Sequence, residues 1–99
     1  MSLVVTDAPE RQRYEAHIDG VLAGVLEYKV KQARLALIHT EVPPEFEGHG
    51  VAAAITRFAL ADARRRELKV IAICPYVRRY LESHPDDLDI VVGMSDAGS

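Results

Sequence analysis

The hydrophobic period of this chain changes once, at a diproline. Ahead of Pro43-Pro44 apolar residues alternate at the period of two that a strand requires, whereas beyond Gly48-His49-Gly50 they recur at three and four, as on one face of a helix. At 99 residues the chain has room for one hydrophobic core. The sheet-forming half and the helix-forming segment must therefore share it. This predicts a mixed α/β domain over residues 1–99, an antiparallel meander followed by a β-α-β crossover, with its core at about 12–92 and a frayed tail at 93–99.

Segments 12–18 and 21–30 are strand-like, and Asp19-Gly20 between them supplies the positive φ angles of a two-residue type I′ hairpin. In the second segment Leu22, Leu26, Tyr28 and Val30 share one face and Glu27 and Lys29 the other. A third extended run, 33–42, ends at the proline pair, which cannot continue a ladder. Leu3-Val4-Val5-Thr6 is a short edge strand broken at Asp7-Ala8-Pro9. Val51, Ile55, Phe58 and Ala59 then mark an amphipathic helix from about Gly50 to about Arg66, roughly 25 Å long. The β-branched run Lys69–Cys74 reads as a strand buried on both faces. Pro75 opens a short helix that ends near Ser83-His84-Pro85, and residues 88–92 form a last strand.

Composition excludes several classes. With 48% hydrophobic and 27% charged residues the chain folds, and a formal charge of -3 gives no general attraction to nucleic acid or anionic lipid. No apolar run reaches membrane-spanning length. Cys74 is the single cysteine, so no intrachain disulfide forms, and with four histidines it makes no recognisable metal set. A reducing, cytoplasmic setting is expected.

The segment Val42–Ala52 carries the functional signal, because two glycines stand where a strand has ended and a helix is about to begin. The first N–H groups of a helix have no intrahelical partners and sit at the positive end of its dipole, so a phosphate there gains several hydrogen bonds. Glycines let it approach. The same two glycines could serve only to turn the chain into the helix, since a lone Gly-x-Gly is a weak signal.

Glu47-Gly48-His49-Gly50-Val51-Ala52 resembles the pyrophosphate loop of the GCN5-related N-acetyltransferases, Gln or Arg, two residues, Gly, one residue, then Gly or Ala. The chain more closely resembles the minimal, roughly hundred-residue branch of that superfamily. It shares with that branch His39-Thr40-Glu41-Val42-Pro43, the Glu-Gly-x-Gly loop, and Cys74-Pro75-Tyr76-Val77 followed by Tyr80-Leu81 and His84-Pro85. The resemblance covers about residues 12–92. It implies that Val42, Glu47, Gly48, His49, Gly50, Val51 and Ala52 surround coenzyme A or acetyl-coenzyme A, with the loop amides on the pyrophosphate and the strand end along the pantetheine arm. It also implies transfer of acetyl to a primary amine of a small molecule or protein. Glu47 departs from the wider pattern, and a carboxylate beside a pyrophosphate must turn to solvent.

Three side chains are candidates for the chemistry. Cys74 lies between the strand and Pro75, at a helix N-terminus that favours thiolate, although a free cysteine is as readily a small core residue. The small branch carries a cysteine at this place, and the resemblance implies an acetyl acceptor there. Glu41 and His39, two apart on one strand face, are the candidate bases for direct attack by an amine; each also reads as an ordinary strand-end residue. Tyr80 is six positions past Cys74, where longer family members have a tyrosine at seven, and Tyr76 reads as a packing residue with a wet hydroxyl. Arg64-Arg65-Arg66 with Lys69 could meet a 3′-phosphate, or simply favour the helix C-terminus.

Two rival functions compete with acetyl transfer. Gly48–Ala53 formally satisfies a dinucleotide-binding Gly-x-Gly-x-x-Ala, but that motif expects an acidic residue at the end of the next strand, where this chain has Cys74, and no antiparallel hairpin before it. A non-catalytic module that keeps the coenzyme site is the other, since fold does not fix reaction.

Overall fold

The computed structural model describes residues 2–94. Six strands form one sheet in sequential order: β1 (Leu3–Ala8), β2 (Arg13–Ile18), β3 (Val21–Lys31), β4 (Arg34–Glu41), β5 (Lys69–Ala72) and β6 (Val91–Met94). The first four pair antiparallel, and β4, β5 and β6 are parallel. Helix α1 (Val51–Arg65) makes the β4-to-β5 crossover and α2 (Pro75–Ser83) the β5-to-β6 crossover. Two right-handed crossovers that step the same way across a sheet put both helices on one face. Accordingly α1 packs on β1 to β5, with α2 beside it against β4 and β5. Among the described residues the sheet's other face carries no helix, and there charged residues such as Glu15 and Glu27 alternate with apolar ones such as Val4 and Val25, as antiparallel sheets allow.

Asp19 and Gly20 both have positive φ, at 49° and 84°, as the type I′ hairpin requires. The next hairpin turns the same way at Gln32 and Ala33, with φ of 54° and 62°, which moves Ala33 out of the predicted strand and into the turn. Two bulges alter the predicted facing. Ala23 is unpaired between Gly24↔Ala16 and Leu22↔His17, so Leu22 turns outward while Leu26 and Tyr28 stay in the core; Val30, near the strand end, is also exposed. Ile38 is unpaired between Glu27↔His39 and Tyr28↔Leu37, which reverses the facing of everything after it in β4.

Helix α1 buries Val51, Ile55, Ala59, Leu60 and Ala63 against the sheet. One polar anchor fixes it there: the fully buried Tyr14 of β2 donates a 2.8 Å hydrogen bond to Asp62, which also holds Arg65 and Arg66. Two predictions at the C-terminal end need correction. Strand β5 alternates buried and partly covered residues, because only one of its faces meets helices. The last strand begins at Val91, since Pro85–Ile90 forms a 3-10 turn, and it takes in Gly93 and Met94, assigned above to the tail; residues 95–99 of that tail lie outside the described residues.

Gly24 of β3 sets how closely the start of α1 approaches the sheet. A Cβ there would stand 2.7 Å from Cγ1 of Val51 and 3.3 Å from both the Glu41 carbonyl oxygen and Cδ1 of Ile55. Overpacking of this kind costs about 1–3 kcal/mol. Gly24→Ala is therefore expected to lower unfolding free energy by about that amount in a denaturant titration, and an unchanged midpoint would show that α1 is free to lift.

Candidate active site

The β4–β5 ladder stops early. It runs from Arg34↔Lys69 to Leu37↔Ala72, after which the Leu37 carbonyl accepts from both Ile73 N–H, at 3.0 Å, and Cys74 N–H, at 2.9 Å. Beyond that point β5 turns into α2, while β4 continues to Glu41, paired only with β3. The two parallel strands thus part, and residues 38–41 have no strand partner on the β5 side.

The chain then enters α1 through a short 3-10 turn, Pro44–Phe46, and the two glycines. Gly48 has φ 84° and Gly50 φ 74°, both in the left-handed region that glycine reaches without steric cost. Gly50 is the N-cap and offers no side chain, so no side-chain acceptor closes the first turn. The leading N–H groups of α1 have no intrahelical partner. Space beside both glycines is open, with no heavy atom within 4 Å of an added Cβ.

A cleft of about 240 Å³ lies at this turn, lined by Val42, Phe46, Glu47, Gly48 and Gly50, then Val51, Ala52 and Ala53 of α1, and Tyr76 of α2. Six of the seven loop residues predicted from the sequence line it. His49 does not. Phe46, Ala53 and Tyr76 are additions; the aromatic Phe46 just ahead of the glycines was the available signal. Glu47 is exposed, the solvent-facing position expected of it. Burial pushes the Tyr76 hydroxyl above the ordinary phenol range and Tyr80 adds to this, while the fields of Arg57 and Arg79 oppose it.

Cys74 is the N-cap of α2, with Pro75 at the first helical position, and is 2% exposed. Its Sγ lies 3.1 Å from Oγ1 of Thr40, across the mouth of the parted strands. Sequence reasoning passed over Thr40, which stood between the two residues it singled out. His39 and Glu41 do share a face, with Nε2 3.7 Å from Oε1 and side chains 55% and 73% exposed. The bulge at Ile38 turns that face away from the helices, so neither residue stands beside Cys74; Thr40 points toward Cys74 and they point away. Tyr80 is buried between the helices, stacked on His84 at 3.9 Å, and does not line the glycine cleft. The arginine run is occupied: Arg64 holds Asp87 and Asp89, and Arg65 and Arg66 hold Asp62. Among the described residues no group of three or more His, Cys, Asp or Glu could hold a metal ion, and no helix is long and apolar enough to cross a membrane.

The glycine turn into an uncapped helix stands where the sequence resemblance put the pyrophosphate loop, and the parting of β4 from β5 is added by the structure. A family model described as GCN5-related N-acetyl-transferase matches residues 13–90. The chain belongs to this family. Protein NATD1 of Xenopus tropicalis is 29% identical over 86 residues, 85% of this chain and 79% of the relative. Protein NATD1 of Mus musculus is 30% identical over 78 residues, 77% and 71% of the two chains. The solution structure of a GCN5-like protein from Staphylococcus aureus superposes with a TM-score of 0.70, 22% identity, and coverage of 94% of this chain and 91% of that one. At that identity the superposition bears on the fold, a mixed α/β acetyltransferase fold. Family membership supports an acyltransferase.

Gly50 is required by its backbone conformation more than by crowding. Gly50→Ala places a Cβ residue at positive φ, which costs about 1–2 kcal/mol, and the expected result is a lower thermal midpoint without loss of the fold. Gly48→Ala should behave alike. Wild-type stability in both variants would show that the turn has another conformation available.

Proposed function

We propose that this domain binds acetyl-coenzyme A and transfers its acetyl group to a primary amine of a small molecule or protein. The observation that carries the reading is the uncapped N-terminus of α1, behind two positive-φ glycines, opening onto a cleft next to the parted strands. The amides of residues 48–52 supply unpaired donors for the pyrophosphate. Val42 and the unpaired edge of β4 suit the peptide-like pantetheine arm, which can add to an open strand edge as a further strand would.

In the first route Cys74 takes the acetyl group. Its sulfur attacks the thioester carbonyl, the bond from that carbon to the coenzyme sulfur breaks, and the coenzyme leaves as a thiol carrying the proton that Cys74 gave up. A neutral amine then attacks the acetyl-cysteine, and Cys74 recovers a proton as the amide forms. The Thr40 hydroxyl holds the Cys74 sulfur at the mouth of the parted strands and must yield for attack, because the thiol is nearly covered.

The second route is direct attack by the amine on the thioester, with Glu41 or His39 taking the amine proton and the coenzyme sulfur leaving with one in exchange. The exposure of that pair, on the sheet face without helices, favours it. The resting burial of Cys74 is the feature that sets the two routes apart.

Calorimetric titration separates the functional readings: acetyl-coenzyme A and coenzyme A are expected to bind and NAD is not. Binding of NAD alone would overturn the assignment. With an amine substrate, Cys74→Ala is expected to reduce thiol release by about 100-fold or more while coenzyme affinity stays the same. An unchanged rate would reject the acetyl-cysteine, and a loss of rate in Glu41→Gln at constant affinity would then assign the base.

A further inference from the structure

The glycine cleft does not end at the first turn of α1. A second groove of about 330 Å³ runs between α1 and α2, and it shares Ala53 and Tyr76 with the glycine cleft, so the two adjoin. Arg57 lines its α1 side and Arg79 its α2 side, with Tyr80 and His84 beyond. Tyr76 lines the same groove, and the fields of both guanidiniums reach its hydroxyl.

Among the described residues these two differ from the arginines at the end of α1 in having no carboxylate beside them. Further along α1, Arg64, Arg65 and Arg66 are each tied to a carboxylate, as are Arg11 and Arg13 on the sheet. Among the described residues no carboxylate pairs with Arg57 or Arg79. In a chain of net charge -3, two guanidiniums that line one groove and pair with no carboxylate favour an anion there. Position sets the kind of anion. Ala53 and Arg57 follow Gly50 by three and seven residues and so lie on the same face of α1, with Arg57 about 10 Å along the axis from the glycine turn. An arginine side chain spans much of that separation, so an anion held here belongs to the same molecule as a diphosphate held at the turn.

We propose that Arg57 and Arg79 grip the 3′-phosphate of the coenzyme's ribose and make the domain select the 3′-phosphorylated coenzyme over its dephospho form. This rests on the coenzyme reading above and assigns a discriminating site within it. Arginine suits the task because its planar fork donates two parallel hydrogen bonds to a phosphate. The run Arg64–Arg66, considered for this phosphate from sequence, is neutralised by Asp62, Asp87 and Asp89, which leaves the role to Arg57 and Arg79, the arginines that line this groove.

The test is calorimetry of the whole chain with coenzyme A and with 3′-dephospho-coenzyme A. The wild-type protein is expected to prefer coenzyme A by about tenfold or more, the ratio that one charge-assisted hydrogen bond sustains. Arg57→Gln and Arg79→Gln are each expected to weaken coenzyme A toward the dephospho level while leaving dephospho-coenzyme A unchanged. Added salt should shrink the wild-type preference, and Arg34→Gln, at the distant β3–β4 hairpin, should keep it. Equal wild-type affinity for the two ligands would overturn this inference alone, as would variants that weaken both equally. Failure of either ligand to bind would overturn the coenzyme reading and this inference with it.

Discussion

One carbonyl organises the working end of this molecule. The Leu37 oxygen accepts from two successive amides, Ile73 and Cys74, and so ends a parallel ladder that could otherwise have run on to Glu41. Strand β5 turns into a helix at that point, and β4 goes on with one edge unpaired. A parallel sheet normally hides its backbone by continuing the ladder; here the unpaired polar edge is left for something else to satisfy. The glycine turn, the start of α1 and the N-cap of α2 all gather around the opening.

The packing on the helix side maintains this geometry. Gly24 lets Val51 settle against β3, and the buried pairing of Tyr14 with Asp62 fixes the far end of α1. The helix is thereby held at both ends, and its uncapped N-terminus faces the cleft rather than a side chain of the protein. Each of these features would be a defect in a chain selected only for stability: an uncapped helix, glycines at positive φ, and a strand edge without a partner. Their concentration around one cleft is what associates the fold with binding.

Much of this architecture was legible in the sequence because it depends on local rules. Asp19-Gly20 announced its hairpin, the diproline its strand end, and Pro75 its helix start, each through a backbone preference that tertiary contacts had no cause to override. The hairpin at Gln32-Ala33 was less plain, since neither residue favours positive φ. The bulges carried no sequence signal, and they decide the site. Strict alternation from the buried Leu35 and Leu37 would have placed His39 on the helix side; the extra residue Ile38 instead puts Thr40 there beside Cys74 and sends His39 and Glu41 to the opposite face. The arginines could not be told apart for a related reason. Which of them keep their charge free depends on Asp62, Asp87 and Asp89, whose positions only the fold brings near α1.

The central claim is that main-chain donors at the start of α1, rather than charged side chains, hold the diphosphate. Amide chemical shifts followed by nuclear magnetic resonance during titration with acetyl-coenzyme A test it directly. The account predicts the largest changes at the amides of Gly48 to Ala52, with smaller ones along residues 38–41 of β4. Saturable binding that leaves the Gly48–Ala52 amides unmoved would contradict it.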